Sequence, residues 1–196
     1  MFSTKLDAKL KSGKVKTIGN LQSTFGEKSF AILFLIFMFI PSLPIPTGGI
    51  THIILLPVVM IASLEMMFGR RELWFPWFIT RIKLGSSVLH KGLPFMIRRI
   101  KWFEKFSRPR QSGYINSIGL RSLTGFVMLL LAVAAFVAPP FSGLDTLPSL
   151  GAVIISLALI LEDMAMYAIG VAVGMFGIGI IVATAGAITA FIHHFV

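Results

Sequence analysis

The chain has 196 residues, 56% of them hydrophobic and only 13% charged, with a net charge of +10 and a mean hydropathy of +0.87. A globular domain averages roughly 25% charged residues, and a chain of this size cannot shield so much apolar surface from water with so thin a polar cover. Composition thus excludes a soluble enzyme, a disordered tail and a secreted scaffold, and the lack of any cysteine excludes disulfides and thiolate chemistry.

Residues 1–25 are polar and basic, with Lys5, Lys9, Lys11, Lys14 and Lys16. A long basic stretch ahead of the first apolar run, with no small-residue cleavage site after it, is not a signal peptide. It is predicted to be a cytoplasmic tail. Residues 26–69 form a first membrane hairpin: an apolar run SFAILFLIFMFI (29–40), a bend PSLPIPTGGIT (41–51) and a second run from Ile50 to Phe68. Phe30 to Ile40 is about 16 Å of helix, against a hydrocarbon core of about 30 Å. Either the helix reaches back to Lys28 or the bend lies inside the bilayer, where its backbone must be hidden in protein or water. Pro41, Pro44 and Pro46 have no N–H to satisfy, and Gly48 and Gly49 allow a tight reversal. A re-entrant hairpin and an ordinary spanning one both remain open.

Residues 70–118 form a basic linker on the cytoplasmic face. Arg70 and Arg71 sit beside Trp74 and Trp77, a mixture that suits the headgroup layer. Within PFMIRRIKWFEKF (94–106), Met96, Ile100 and Phe103 share one helical face while Arg98, Lys101 and Lys105 share the other, with Arg99 adding to the charge. Such a helix lies on anionic lipid headgroups; the alternative is a basic helix packed on the protein itself. Residues 119–169 are a second membrane hairpin, with an apolar run at 122–138, a turn PPFSGLDTLP at 139–148 opened by Pro139 and Pro140, and a run at 149–169 that contains Glu162 and Asp163. Residues 170–196 are a Gly-rich transmembrane helix. Its Gly170-x-x-x-Gly174 pattern, continued by Gly179, Ala183 and Ala187, lets helices approach closely. It serves internal packing or a homodimer. Gly177 and Gly186 offer a further flexible or ligand-facing surface.

Apart from Arg121, every Lys and Arg lies in residues 1–28 or 70–110. Basic blocks between apolar stretches mark the cytoplasmic side, so the N-terminus and the linker share that side and the chain crosses four or five times. The same placement, without stacking aromatics or a recognisable motif, argues against nucleic acid. The order of features repeats: a Phe-rich run, a Pro/Gly turn and an apolar run ending in an acid occur twice, and a shift of 97 residues places Phe39 on Phe136, Leu64 on Leu161, Glu65 on Glu162 and Met67 on Met164. Transporters are often built from such repeats, and so are structural hairpins.

The segment running from Pro44 and Pro46 through Gly69 and Arg70 to the cluster Trp74–Trp77 resembles the first half of the ExoD family of bacterial membrane proteins. Pro139, Pro140, Leu147, Pro148 and the acidic pair Glu162–Asp163 resemble its second half. The likeness covers about residues 18–192. The chain has Met164 where that family usually has Gly, and Glu65 where Gln is common. The resemblance implies a bacterial membrane protein connected with exopolysaccharide synthesis; with the apolar runs and the charge placement, the expectation is a multi-pass inner-membrane protein whose N-terminus is cytoplasmic. It implies a process and not a reaction.

An ionisable group within a membrane is a functional hypothesis by default. Glu65, Glu162 and Asp163 qualify, and His52, just after the first turn, is a candidate relay. A carboxyl group in low dielectric titrates nearer neutral pH than one in water, and two brought together favour a shared proton. That chemistry would serve proton or cation handling. The competing reading is interfacial ion pairing: Glu65 with Arg70 or Arg71, and Glu162 or Asp163 with Arg121 or the linker. His193 and His194 are adjacent, so they do not share a helix face and make no metal site. No nucleophile, phosphate-cradling or zinc motif occurs, so no enzyme, cofactor or metal is expected. The expected fold is thus all-α integral membrane: two similar Pro-turn hairpins, a basic interfacial linker and a Gly-rich final helix. The expected role is transporter-like or ion-handling; the alternative is a non-transporting membrane scaffold for polysaccharide-synthesis enzymes.

Overall fold

The computed structural model describes residues 28–43, 51–70, 73, 117–139 and 142–195. Outside them lie the predicted tail, most of the basic linker with Arg71, Trp74, Trp77, Arg98, Arg99 and Lys101, and the turn residues Pro44, Pro46, Gly48, Gly49 and Pro140. The elements within them are all helical: α1 Ser29–Phe39, α2 Leu56–Met67, α3 Ile118–Val137, α4 Thr146–Leu161 and α5 Met164–Phe195. A wide π turn, Thr51–Leu55, leads into α2.

Local chemistry sets where these helices stop. α2 has Pro57 at its start, where a missing N–H costs nothing. It ends in a Schellman motif: Gly69 takes a left-handed φ of 79°, its amide bonds to Met66 O at 3.0 Å, and the Arg70 amide bonds to Glu65 O at 3.2 Å. α3 is opened by Ser117, whose Oγ accepts from the Leu120 amide at 3.3 Å, and it closes ahead of Pro139. α4 ends where Glu162 turns left-handed at φ 58°. Asp163 Oδ1 then accepts from the amides of Ala165 at 3.0 Å and Met166 at 3.3 Å, capping α5. The helix break therefore falls at the acidic pair, seven residues before the 169/170 boundary that apolar content suggests.

The packing is crosswise. α1, the first helix of one hairpin, lies mainly against α4, the second helix of the other, and α2 lies mainly against α3. A pseudo-two-fold relation between the hairpins requires these two pairings to be equivalent. α5 runs along α4 and also touches α3. Ten of the eleven residues of α1 are buried, as expected of a helix that is apolar all round.

Glycine sets the tightest approaches. A Cβ on Gly125 of α3 would lie 2.3 Å from the Met67 amide nitrogen of α2, and one on Gly151 of α4 would lie 2.5 Å from Gly174 Cα of α5. Gly170 meets Ile155 and Gly177 meets Pro148 in the same way, so this part of the small-residue stripe packs internally, whereas Gly179 and Gly186 face open space.

α3 and residues Met164–Phe191 of α5 are each long and apolar enough to cross a membrane. Their outward faces carry Phe126, Leu130, Val133 and Phe136 on α3, and Ile169, Phe176, Val182 and Phe191 on α5, all exposed. From Ile180 onward the side chains of α5 through Phe191 are at most half-buried. Gly177 lies opposite Pro148 in the first turn of α4, so the rest of α5, to Phe195, runs on past the start of α4 for about 27 Å.

Candidate functional site

Helix ends gather polar groups at two levels of the bundle. The first is a rim formed by the starts of α1, α3 and α5 and the ends of α2 and α4. Lys28 precedes α1, and its Nζ donates to Glu162 Oε1 at 3.1 Å and to Ile160 O at 3.0 Å. The second of these bonds satisfies a carbonyl that the end of α4 leaves free. Both side chains of the ion pair are partly exposed, at 37% and 28%, so water screens the pair. Glu162 thus has as its partner among the described residues a lysine that precedes the first apolar run.

Asp163 serves α5 directly, because its Oδ1 holds two first-turn amides. Glu65 is half-buried in the last turn of α2, and its carbonyl oxygen, not its carboxylate, takes the Arg70 amide. Arg70 is exposed. Between α3 and α5, the hydroxyls of Thr124 and Tyr167 lie 3.1 Å apart in a buried contact, and Thr124 Oγ1 also bonds to Leu120 O at 2.7 Å. Tyr167 stands one turn beyond Asp163, its amide bonded to Asp163 O at 3.0 Å. The three predicted acids therefore lie at one rim, each at the end or the start of a helix.

The second level is where the two proline bends come together. His52, in the π turn before α2, has Nε2 3.3 Å from Ala138 O at the end of α3, and its ring centroid is 6.3 Å from that of Phe136. The histidine is half-buried. Pro41 is buried and Ser42 Oγ donates to Phe39 O at 2.7 Å, closing the end of α1. Pro139 is exposed, and Ser142 Oγ donates to its carbonyl at 2.7 Å. Asp145 is half-buried ahead of α4 and its carbonyl accepts from the Ser149 amide.

Of the predicted site residues, the structure brings Glu162 and Asp163 to the rim as consecutive parts of one turn, puts Glu65 at the same end, and sets His52 apart at the proline level. Sequence reasoning passed over Lys28 as a partner, the Thr124–Tyr167 bond and Asp145. Lys28 is visible as a cation directly ahead of an uncharged run. The hydroxyl pair, 43 residues apart, gives no local signal.

The comparisons with known proteins agree with this architecture's sequence signature. Residues 2–183 match the family described as "Exopolysaccharide synthesis, ExoD". An uncharacterized protein of Synechocystis sp. is 28% identical over 141 residues, a match covering 70% of this chain and 63% of that protein. The chain thus spans less than two thirds of that relative's length. No solved structure matches.

Proposed function

The chain belongs to the ExoD family, which ties it to exopolysaccharide synthesis, and from that premise we propose that it is a multi-pass inner-membrane scaffold for polysaccharide-synthesis enzymes, with its N-terminus cytoplasmic. The outward apolar faces of α3 and α5 support the membrane placement, because a soluble monomer does not leave such surface to water. The hairpins are re-entrant in this reading. α4 has 16 residues, or about 24 Å, while α5 has 32, or about 48 Å. With the rim at the cytoplasmic interface and α5 crossing, the proline bends end inside the bilayer, which requires α3, about 30 Å long, to tilt from the membrane normal. The rim, the tail and the linker then lie among anionic headgroups.

The observation that carries the scaffold reading is the engagement of the acids. Glu162 is paired with Lys28 and Asp163 caps α5. A carrier's carboxylates belong near mid-depth, where repeats meet. The decisive test uses Glu65→Gln and Glu162→Gln in cells that depend on the protein for exopolysaccharide. The scaffold reading expects normal polymer output and co-purification with the synthesis enzymes. Loss of output with intact folding, together with loss of a proton flux in liposomes, would overturn it.

One observation favours the ion-handling reading instead. His52 sits where the two bends meet, against a carbonyl at the end of α3, and a re-entrant geometry would place it within the bilayer, where an ionisable group is costly unless used. His52→Gln abolishing flux while Glu162→Gln leaves it intact would establish that reading in place of the scaffold.

A further inference from the structure

We propose that Arg121 and the amino end of α3 bind a phosphate-class oxyanion at the rim. Arg121 is the one basic residue within an otherwise uncharged helix of 20 residues. Its side chain is 8% exposed, and its Nη1 is shut off from solvent without any hydrogen-bond partner among the described residues. A buried guanidinium left unmatched is costly, so such a group ordinarily holds a counter-charge. None of the three rim acids bonds to Nη1; Glu162 is held by Lys28, and Asp163 Oδ1 by the first amides of α5.

The surroundings favour an anion. Arg121 stands one turn into α3. Side chains on a helix lean toward its N-terminus, so the arginine sets out toward the positive end of the helix dipole. Ser117 Oγ takes the Leu120 amide and Ser117 O takes the Arg121 amide. The amides of Ile118 and Gly119 have no carbonyl a turn earlier within the helix, and both residues are exposed, Gly119 with nothing within 4 Å of its Cβ position. A helix amino end beside a fork of N–H donors is a phosphate-binding combination. The last turn of α2 runs alongside, with Ile118 Cγ2 4.0 Å from the Gly69 Cβ position. Its carboxyl end offsets part of the arginine's charge without bonding to Nη1. A lipid headgroup and a soluble phosphate share this chemistry. The inference stands whether the protein is a scaffold or a carrier.

The test is thermal unfolding of the full chain in dodecyl maltoside, titrated in one arm with inorganic phosphate and in another with phosphatidylglycerol. The unfolding midpoint of the parent rises with at least one probe. Arg121→Gln requires at least about tenfold more probe for the same rise, as loss of charge-assisted bonds implies, while the exposed-site variant Arg70→Gln loses much less of the response. A response to phosphatidylglycerol alone identifies a headgroup, and a response to both identifies free phosphate as sufficient. Should Arg121→Gln not fold, Arg121→Lys keeps the charge and loses the fork, and it must respond more weakly than the parent. The proposal is overturned if the parent responds to neither probe, if the Arg121 variants respond as the parent does, or if Arg70→Gln loses as much as Arg121→Gln.

Discussion

The two hairpins share an order of features but not an environment. α1 is buried on every side, and its counterpart in the second hairpin, α3, shows an apolar face carrying Phe126, Val133 and Phe136 to the outside. The second helices differ the other way. Ten of the sixteen residues of α4 are buried, whereas α2 leaves Ile61 and Leu64 exposed, with Phe68 exposed just past its end. Part of the asymmetry comes from α5, which covers α4 and has no counterpart among the described residues of the first repeat. The hairpins therefore pair crosswise, and the helix laid on α4 makes it core while α2 keeps an exposed face.

Breaking the comparison at its closest contacts gives the largest effects. Gly151→Leu would drive a side chain into the Gly174 backbone, and Gly125→Leu into that of Met67. Overpacking typically costs about 1–3 kcal/mol, and more where backbone is the obstacle, so both variants should melt well below the parent in detergent or fail to accumulate. Equal loss at both sites would show that the α4–α5 and α2–α3 seams matter alike; a milder loss at Gly125 would mark α4–α5 as the dominant seam. The Thr124–Tyr167 bond comes next. Tyr167→Phe should lower stability by about 1 kcal/mol, the usual net worth of one hydrogen bond, read as a shift in the unfolding midpoint. Asp163→Ala should cost a similar amount, about 1 kcal/mol, through loss of the α5 cap. Lys28→Met removes a partly exposed pair and should cost no more than about 1 kcal/mol, less at high salt. Smallest of all is Gly186→Ala on the open stretch of α5, where the helix preference of alanine should be neutral or stabilising by up to about 1 kcal/mol. A clear destabilisation there would reveal a packed neighbour, such as a second copy.

The re-entrant geometry has its own check, made simple by the absence of native cysteine. Single Leu43→Cys and Ser142→Cys variants should resist an impermeant thiol reagent applied from outside the cytoplasmic membrane. Ready labelling of both would mean that the hairpins span.

Much of the architecture is legible in the amino acids because apolar runs and proline punctuation are local signals. The run at 29–40 becomes α1 and the run from Ile50 to Phe68 becomes the π turn and α2, within a residue or two. The break between α4 and α5 is less legible. It depends on Glu162 accepting a left-handed conformation usually left to Gly or Asn, so uninterrupted apolar content on both sides carries the reading past it. The candidate site is less legible still. Spacing shows that Glu65 and Glu162 are corresponding acids, but not that Lys28 reaches one of them across 134 positions. Nor does spacing tell that Arg121 is enclosed, since burial of a cation depends on neighbours from other helices.

The glycine-on-glycine seam between α4 and α5 has a consequence for biogenesis. α4 emerges from the ribosome before the helix that covers it, and at about 24 Å it is a poor membrane anchor alone. Its stable lodging must await translation of Gly170 and Gly174. A released chain truncated just after Asp163 should therefore leave α4 open to quality-control proteases, and one that keeps α5 should not.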